Sequence, residues 1–124
     1  MSEHDQQAAL FEWAERKINQ GWKALKLMYA IPNGGERNVI VATRLKAEGV
    51  KPGVPDVCLA IPKAPYHSLY IEMKDKDTKG SKVKPNQEIW ALELRLAGHR
   101  VEVAWDWIEA AQIICNYLGW RFDE

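Results

Sequence analysis

The chain has 124 residues, 47% hydrophobic and 27% charged, the size and composition of one domain around a single core spanning residues 1–124. Its 17 Lys and Arg balance 17 Asp and Glu for a formal net charge of +0, which excludes a generally basic nucleic-acid coat and confines any DNA contact to a local patch. With no apolar run of about 18 residues, a polar start (Met1-Ser2-Glu3-His4-Asp5) and Cys58 and Cys115 isolated in apolar stretches, a cytoplasmic protein with buried thiols and no membrane span is expected.

Ser2 and Asp5 make a capping pair for a helix that runs to about Asn19, with Gly21 past its end. Its inward stripe is expected at Gln7, Leu10, Phe11, Ala14 and Ile18. Leu25 to Ile31 reads as a strand, Pro32-Asn33-Gly34-Gly35 as a tight turn, and Glu36 to Glu48 as a helix ended by Gly49. Lys51 to Pro55 is a loop leading to Asp56. Val57–Ile61 and Ser68–Lys74 are strands joined by a connection over Pro62–His67. The polar stretch Asp75 to Lys84 is a loop, and Pro85 opens a helix to about Ala97, closed by Gly98. Arg100–Ala104 is a strand, and Asp106 with Glu109 caps a last helix ending near Leu118-Gly119. The order α-β-α-β-β-α-β-α predicts an α/β domain, a mixed sheet with helices on its faces.

Fifteen residues separate Asp56 from Glu72-Met73-Lys74, a spacing that one β-hairpin spans. Strand side chains alternate, so Leu69, Ile71 and Met73 take one face while Tyr70, Glu72 and Lys74 take the other. If Asp56 opens one strand and Glu72-Lys74 closes the next, two carboxylates and an amine meet at the open end of the hairpin. Two close acids repel unless a positive charge lies between them. A hard divalent cation such as Mg²⁺ suits oxygen ligands, and the set suits phosphodiester hydrolysis. Taken singly, Asp56 is an ordinary turn residue and Glu72-Lys74 an ordinary surface ion pair; their joint spacing favours a site.

Pro55-Asp56 … Glu72-Met73-Lys74 resembles the PD-(D/E)XK nuclease pattern. With Gly53-Val54-Pro55-Asp56, Ile71-Glu72-Met73-Lys74, Pro85-Asn86-Gln87 and Pro32-Asn33-Gly34-Gly35-Glu36-Arg37, the chain is similar to the VRR-NUC (virus-type replication-repair nuclease) branch, in particular to stand-alone phage members. The resemblance spans about Glu3 to Leu118 and implies a restriction-endonuclease-like fold. It also implies a metal site of Asp56, Glu72 and the Met73 carbonyl holding Mg²⁺ or Mn²⁺, with Lys74 as catalytic lysine and Gln87 as a supporting glutamine. The family further implies an acid on the first helix. Glu3, Glu12 and Glu15 compete, and Glu3 is chosen because it lies closest to the direction of Gln7, Leu10 and Ala14. By the same resemblance the expected activity is a metal-dependent DNA endonuclease, acting as a homodimer on branched or four-way DNA.

Beyond the site, Lys76, Lys79, Lys82 and Lys84 form a basic loop, with Lys51 and Arg37 extending it, expected to contact phosphates without reading bases. Trp13, Trp90 and Trp107 fall in helical patterns and read as core or interface. His4, His67 and His99 lack a ligand spacing, and Asn33-Gly34-Gly35 lacks that of a nucleotide-binding loop. The rival reading is a non-catalytic DNA-binding or partner-recruiting module on the same fold, and the residues alone leave RNA open as a substrate.

Overall fold

The computed structural model describes residues 1–32, 38–78 and 81–123. Helix α1 covers Glu3–Asn19 and starts at the expected capping box: the Asp5 N–H donates to Ser2 Oγ at 3.1 Å and the Ser2 N–H to Asp5 Oδ2 at 3.0 Å. Its inward face is rotated from the expected stripe. Gln6, Leu10, Trp13, Ala14 and Lys17 are buried, while Phe11 and Ile18 are only partly so. The reason is the C-terminal segment. Trp13 Nε1 donates to the Asp123 carbonyl at 2.9 Å, and the Lys17 ammonium sits 3.2 Å from Asp123 Oδ2, 3.3 Å from Gln20 Oε1 and over the Trp22 ring. A buried lysine is tolerable where its charge is paired and its stem packed.

The expected strand over Leu25–Ile31 is shorter. Lys23–Leu27 is a 3₁₀ turn that drops Leu25 into the core, and β1 is only Met28–Ala30. Helix α2 is Val39–Ala47, starting later than expected because Asn38 is its cap: Oδ1 accepts from the Val41 N–H at 2.9 Å. The expected turn at Asn33-Gly34-Gly35, with Glu36 and Arg37, lies outside the described residues. Strand β2 is Val57–Leu59 and β3 is Leu69–Met73, each a little shorter than expected. Helix α3 is Pro85–Leu96, β4 is Arg100–Ala104, and α4 is Trp107–Leu118, with Asp106 Oδ1 accepting from the Glu109 N–H at 2.7 Å.

The sheet order is β1-β2-β3-β4; β1 with β2 and β2 with β3 are antiparallel, and β3 with β4 is parallel. The fold is thus the expected α/β arrangement, a mixed sheet flanked by helices. Leu69, Ile71 and Met73 join Leu10 and Trp13 of α1 and Ile114 of α4 in one core. The other face carries Tyr70 and Glu72. There α3 crosses near β4, its Arg95 donating to the Val101 carbonyl at 2.8 Å. Neither α2 nor α3 buries a residue: Val39, Ile40, Ile89, Leu92 and Leu96 are all exposed. Cys58 and Cys115 are free and buried, as expected. Among the described residues no helix is long and apolar enough to cross a membrane.

Candidate active site

The β2–β3 ladder ends at the pair Val57↔Ile71, and this is what builds the site. Beyond it the Met73 N–H has no strand partner on the β2 side, and Asp56, the residue before β2, supplies one: Oδ2 accepts it at 2.7 Å. That bond draws the Asp56 carboxylate across the strand end toward Glu72. Lys74 is held in turn by its N–H donating to the Ala104 carbonyl at 2.8 Å. Three side chains distant in sequence therefore converge at one end of the sheet, on the face away from α1 and α4.

The site is buried, not a salt-bridged surface strand. Glu72 is 4% and Lys74 3% exposed. The Lys74 ammonium lies 3.6 Å from Glu72 Oε2. Gln87, in the first turn of α3, has its amide turned by a backbone contact: the Lys84 N–H donates to its Oε1 at 2.8 Å, which leaves Nε2 to donate to Glu72 Oε2 at 3.2 Å. Glu72 Oε2 thus meets an amide and an ammonium, whereas Oε1 is buried with no hydrogen-bond partner. Burial first, then the charge of Asp56 beside it, push the Glu72 carboxyl up to about 9, against the opposing pull of Lys74.

Approach of α3 to this end depends on Gly53. Its φ is +95°, and a Cβ there would lie 2.9 Å from the Asn86 carbonyl and 2.9 Å from Trp90 Cδ1. Only glycine suits both the left-handed backbone and the close contact. The Gly53-Val54-Pro55-Asp56 segment thereby seats the first turn of α3, buries Pro55 and delivers Asp56.

The remaining expected residues are more dispersed. Glu3 is exposed and its Oε2 accepts from the Ser81 hydroxyl at 3.0 Å. Among the described residues no three His, Cys, Asp or Glu side chains form a group able to hold a metal ion, so Glu3 is not gathered with Asp56 and Glu72. Glu12 and Glu15 are exposed as well. Lys51, Lys82 and Lys84 are exposed; Lys76 is committed to Asp106 Oδ2 at 3.0 Å, which raises its pKa. Arg37 and Lys79 lie outside the described residues. Asp75, expected only as part of a polar loop, is 1% exposed, and its carboxylate accepts from the Asp77 N–H and the Thr78 hydroxyl. Its signal was available: an Asp with Asp77 two and Thr78 three residues on is a turn-forming pattern.

The donor set fits a hard divalent cation. Asp56 and Glu72 supply carboxylates, Met73 a carbonyl at the strand end, and the partnerless Glu72 Oε1 is a buried acceptor beside a second acid, where positive charge relieves both the lone oxygen and the repulsion.

The family model that matches this chain is the VRR-NUC domain, over residues 5–105. Among solved structures, a VRR_NUC domain protein is similar to it at 25% sequence identity and a TM-score of 0.76, over 96% of this chain and 89% of that chain. No curated protein matches the chain. Since the matched residues run from the first turn of α1 to the end of β4 and include Asp56, Glu72, Lys74 and Gln87, the chain belongs to the VRR-NUC domain family, and its function is of the nuclease type.

Proposed function

We propose that this protein is a metal-dependent endonuclease that hydrolyses phosphodiester bonds in DNA, with branched or four-way DNA as preferred substrate and a homodimer as the acting form. The observation that carries the reading is the buried, partnerless Glu72 Oε1 beside Asp56, on a carboxylate whose other oxygen, Oε2, lies 3.6 Å from the Lys74 ammonium. Asp56, Glu72 and the Met73 carbonyl are the proposed ligands. Bound there, Mg²⁺ or Mn²⁺ supplies positive charge and Lewis acidity at the scissile phosphate.

The chain's own groups do the rest. Lys74 orients the attacking water and offsets charge developing on the phosphate oxygens, a task for which a compact ammonium is well shaped. Gln87 holds Glu72 Oε2 and so fixes which carboxylate oxygen faces Asp56. Asp56, anchored on the Met73 N–H, cannot swing away from the strand end without breaking that bond. Lys51, Lys82 and Lys84 are exposed and available for phosphate contact. Support for a homodimer comes from α2 and α3, whose apolar residues Val39, Ile40, Ile89, Leu92 and Leu96 are left on the surface.

The test is cleavage of four-way junctions, flaps and linear duplex by purified protein with Mg²⁺, Mn²⁺ or EDTA, alongside sedimentation to read the oligomeric state. All three substrates left intact in both metals sinks the catalytic reading; equal cutting of all three sinks the junction preference. The absence of a three-acid group among the described residues favours, as second reading, a non-catalytic DNA-binding module. Asp56→Asn or Lys74→Met with unchanged binding and no activity to lose supports that alternative.

A further inference from the structure

The loop that follows Lys74 is stitched to the start of α1 by a chain of hydrogen bonds. Asp75 is buried, and its carboxylate accepts from the Asp77 N–H at 2.9 Å and from the Thr78 hydroxyl. The Thr78 N–H donates to the Asp75 carbonyl at 3.3 Å, and the Ser81 N–H to the Thr78 carbonyl at 3.1 Å. The Ser81 hydroxyl in turn meets the Asp75 N–H, accepting it at 3.1 Å. The same hydroxyl donates to Glu3 Oε2 at 3.0 Å. One hydroxyl is thus used in both directions, and its donor end is held by a residue of α1, a helix anchored in the core by Leu10 and Trp13.

The consequence falls on Lys74. Its own N–H is bound to the Ala104 carbonyl of β4, and the next N–H along the chain, that of Asp75, is bound to Ser81. Both peptides flanking Lys74 are therefore held, one by the sheet and one through Ser81 by α1. Two held peptides leave the lysine backbone little freedom, and the ammonium is directed by that backbone and by Glu72. The geometry points to Ser81 and Glu3 as positioning residues for Lys74: Glu3 acts through Ser81 on the Lys74–Asp75 peptide and not as a metal ligand. This rests on Lys74 being the reacting group of the proposed nuclease.

The discriminating experiment uses the full chain with Ser81→Ala, Ser81→Thr, Glu3→Ala, Glu3→Gln and the double variant Ser81→Ala/Glu3→Ala. Single-turnover cleavage and KM are measured on a four-way junction in Mn²⁺. Exchange of the Asp75 amide proton is followed by NMR without metal or DNA. Ser81→Ala is expected to lower the cleavage rate about tenfold to a hundredfold with KM within roughly twofold, as misplacement of one reacting group does. Ser81→Thr keeps the hydroxyl and restores the rate. Glu3→Gln keeps an oxygen acceptor for Ser81 and stays within about threefold of wild type, whereas Glu3→Ala matches Ser81→Ala, and the double variant is no slower than either single one. The Asp75 N–H exchanges faster in Ser81→Ala and keeps its protection in Glu3→Gln.

A Glu3→Gln variant as inactive as Lys74→Met, with Ser81→Ala fully active, overturns the proposal and puts Glu3 at the metal. Unchanged Asp75 N–H protection in Ser81→Ala overturns it too, while leaving the nuclease reading standing. If wild-type protein cuts nothing, the nuclease reading has failed and the positioning role falls with it, whatever the exchange data say about the hydrogen bond.

Discussion

Glu72→Gln separates the cost of burying this carboxylate from its use. In the folded protein the Glu72 carboxyl is raised from 4.5 to about 9, by burial first and by Asp56 second. A carboxyl whose folded pKa lies above its unfolded value binds its proton more tightly when folded. The native state is therefore favoured most at low pH, and stability is lost as pH rises from about 4.5 toward 9. At pH 7 roughly two and a half pH units of that window have been crossed, which at roughly 1.4 kcal/mol each is a loss of roughly 3–4 kcal/mol. Glutamine has nearly the same shape and never ionises. Its carbonyl can accept from Gln87 Nε2 and Lys74 as Glu72 Oε2 does, and its NH₂ would face Asp56 where Oε1 now has no partner. In EDTA at pH 7, Glu72→Gln should then be more stable than wild type by about 2–3 kcal/mol, a rise in Tm of roughly 10 °C for a domain of this size. The assay is thermal denaturation by circular dichroism from pH 5 to 9, with and without Mn²⁺. Other titrating groups are common to both proteins, so the difference between the two profiles isolates Glu72 and should widen with pH. Mn²⁺ should raise the wild-type Tm and leave the variant unmoved, and the variant should lose cleavage by at least about a hundredfold. If the variant melts below wild type at pH 7 in EDTA and the two profiles run parallel, the argument for a neutral, cation-seeking Glu72 is wrong.

Because binding a cation displaces the Glu72 proton, apparent Mn²⁺ affinity should rise about tenfold per pH unit between pH 5 and 8, read from Tm against metal concentration; affinity independent of pH contradicts this. Lys74→Met keeps the buried volume and should cut single-turnover cleavage by about a hundredfold or more while junction binding, read by fluorescence anisotropy, stays within about threefold. Gly53→Ala meets both a left-handed backbone and contacts of 2.9 Å at Asn86 and Trp90, so it should destabilise the fold by about 1–3 kcal/mol and slow cleavage by shifting Gln87; urea denaturation and a rate assay check it. Lys82→Ala and Lys84→Ala should each lower the slope of log binding constant against log salt by about one if they contact phosphate, and leave the slope unchanged if they only face solvent.

The parts of this protein legible in its sequence are those decided by near neighbours. The Ser2/Asp5 and Asp106/Glu109 pairs mark helix starts because the bonds they make span three residues. Alternation along Leu69–Lys74 assigns its two faces because strand geometry has a period of two. Asp56 and Glu72-Met73-Lys74 come together as their spacing suggested, since a hairpin is the shortest way to join two antiparallel strands. Where local rules failed, a distant segment had intervened. The face of α1 turned to Trp13 and Lys17 because Asp123 and Phe122 lie there, more than a hundred residues along the chain. The strand anticipated from Leu25 begins only at Met28 because Leu25 is drawn into the core by a 3₁₀ turn.

By itself, then, the order of residues determined the element sequence and the acid–acid–lysine set. Only the tertiary structure decided that Glu72 and Lys74 are buried, that one carboxylate oxygen has no partner, that Gln87 aims its amide at the other, and that Glu3 reaches Ser81. Each of those depends on where α1, α3 and the Gly53 loop pack against the sheet end. Burial and desolvation are set by what lies opposite a side chain in space, and no periodicity along the chain encodes that.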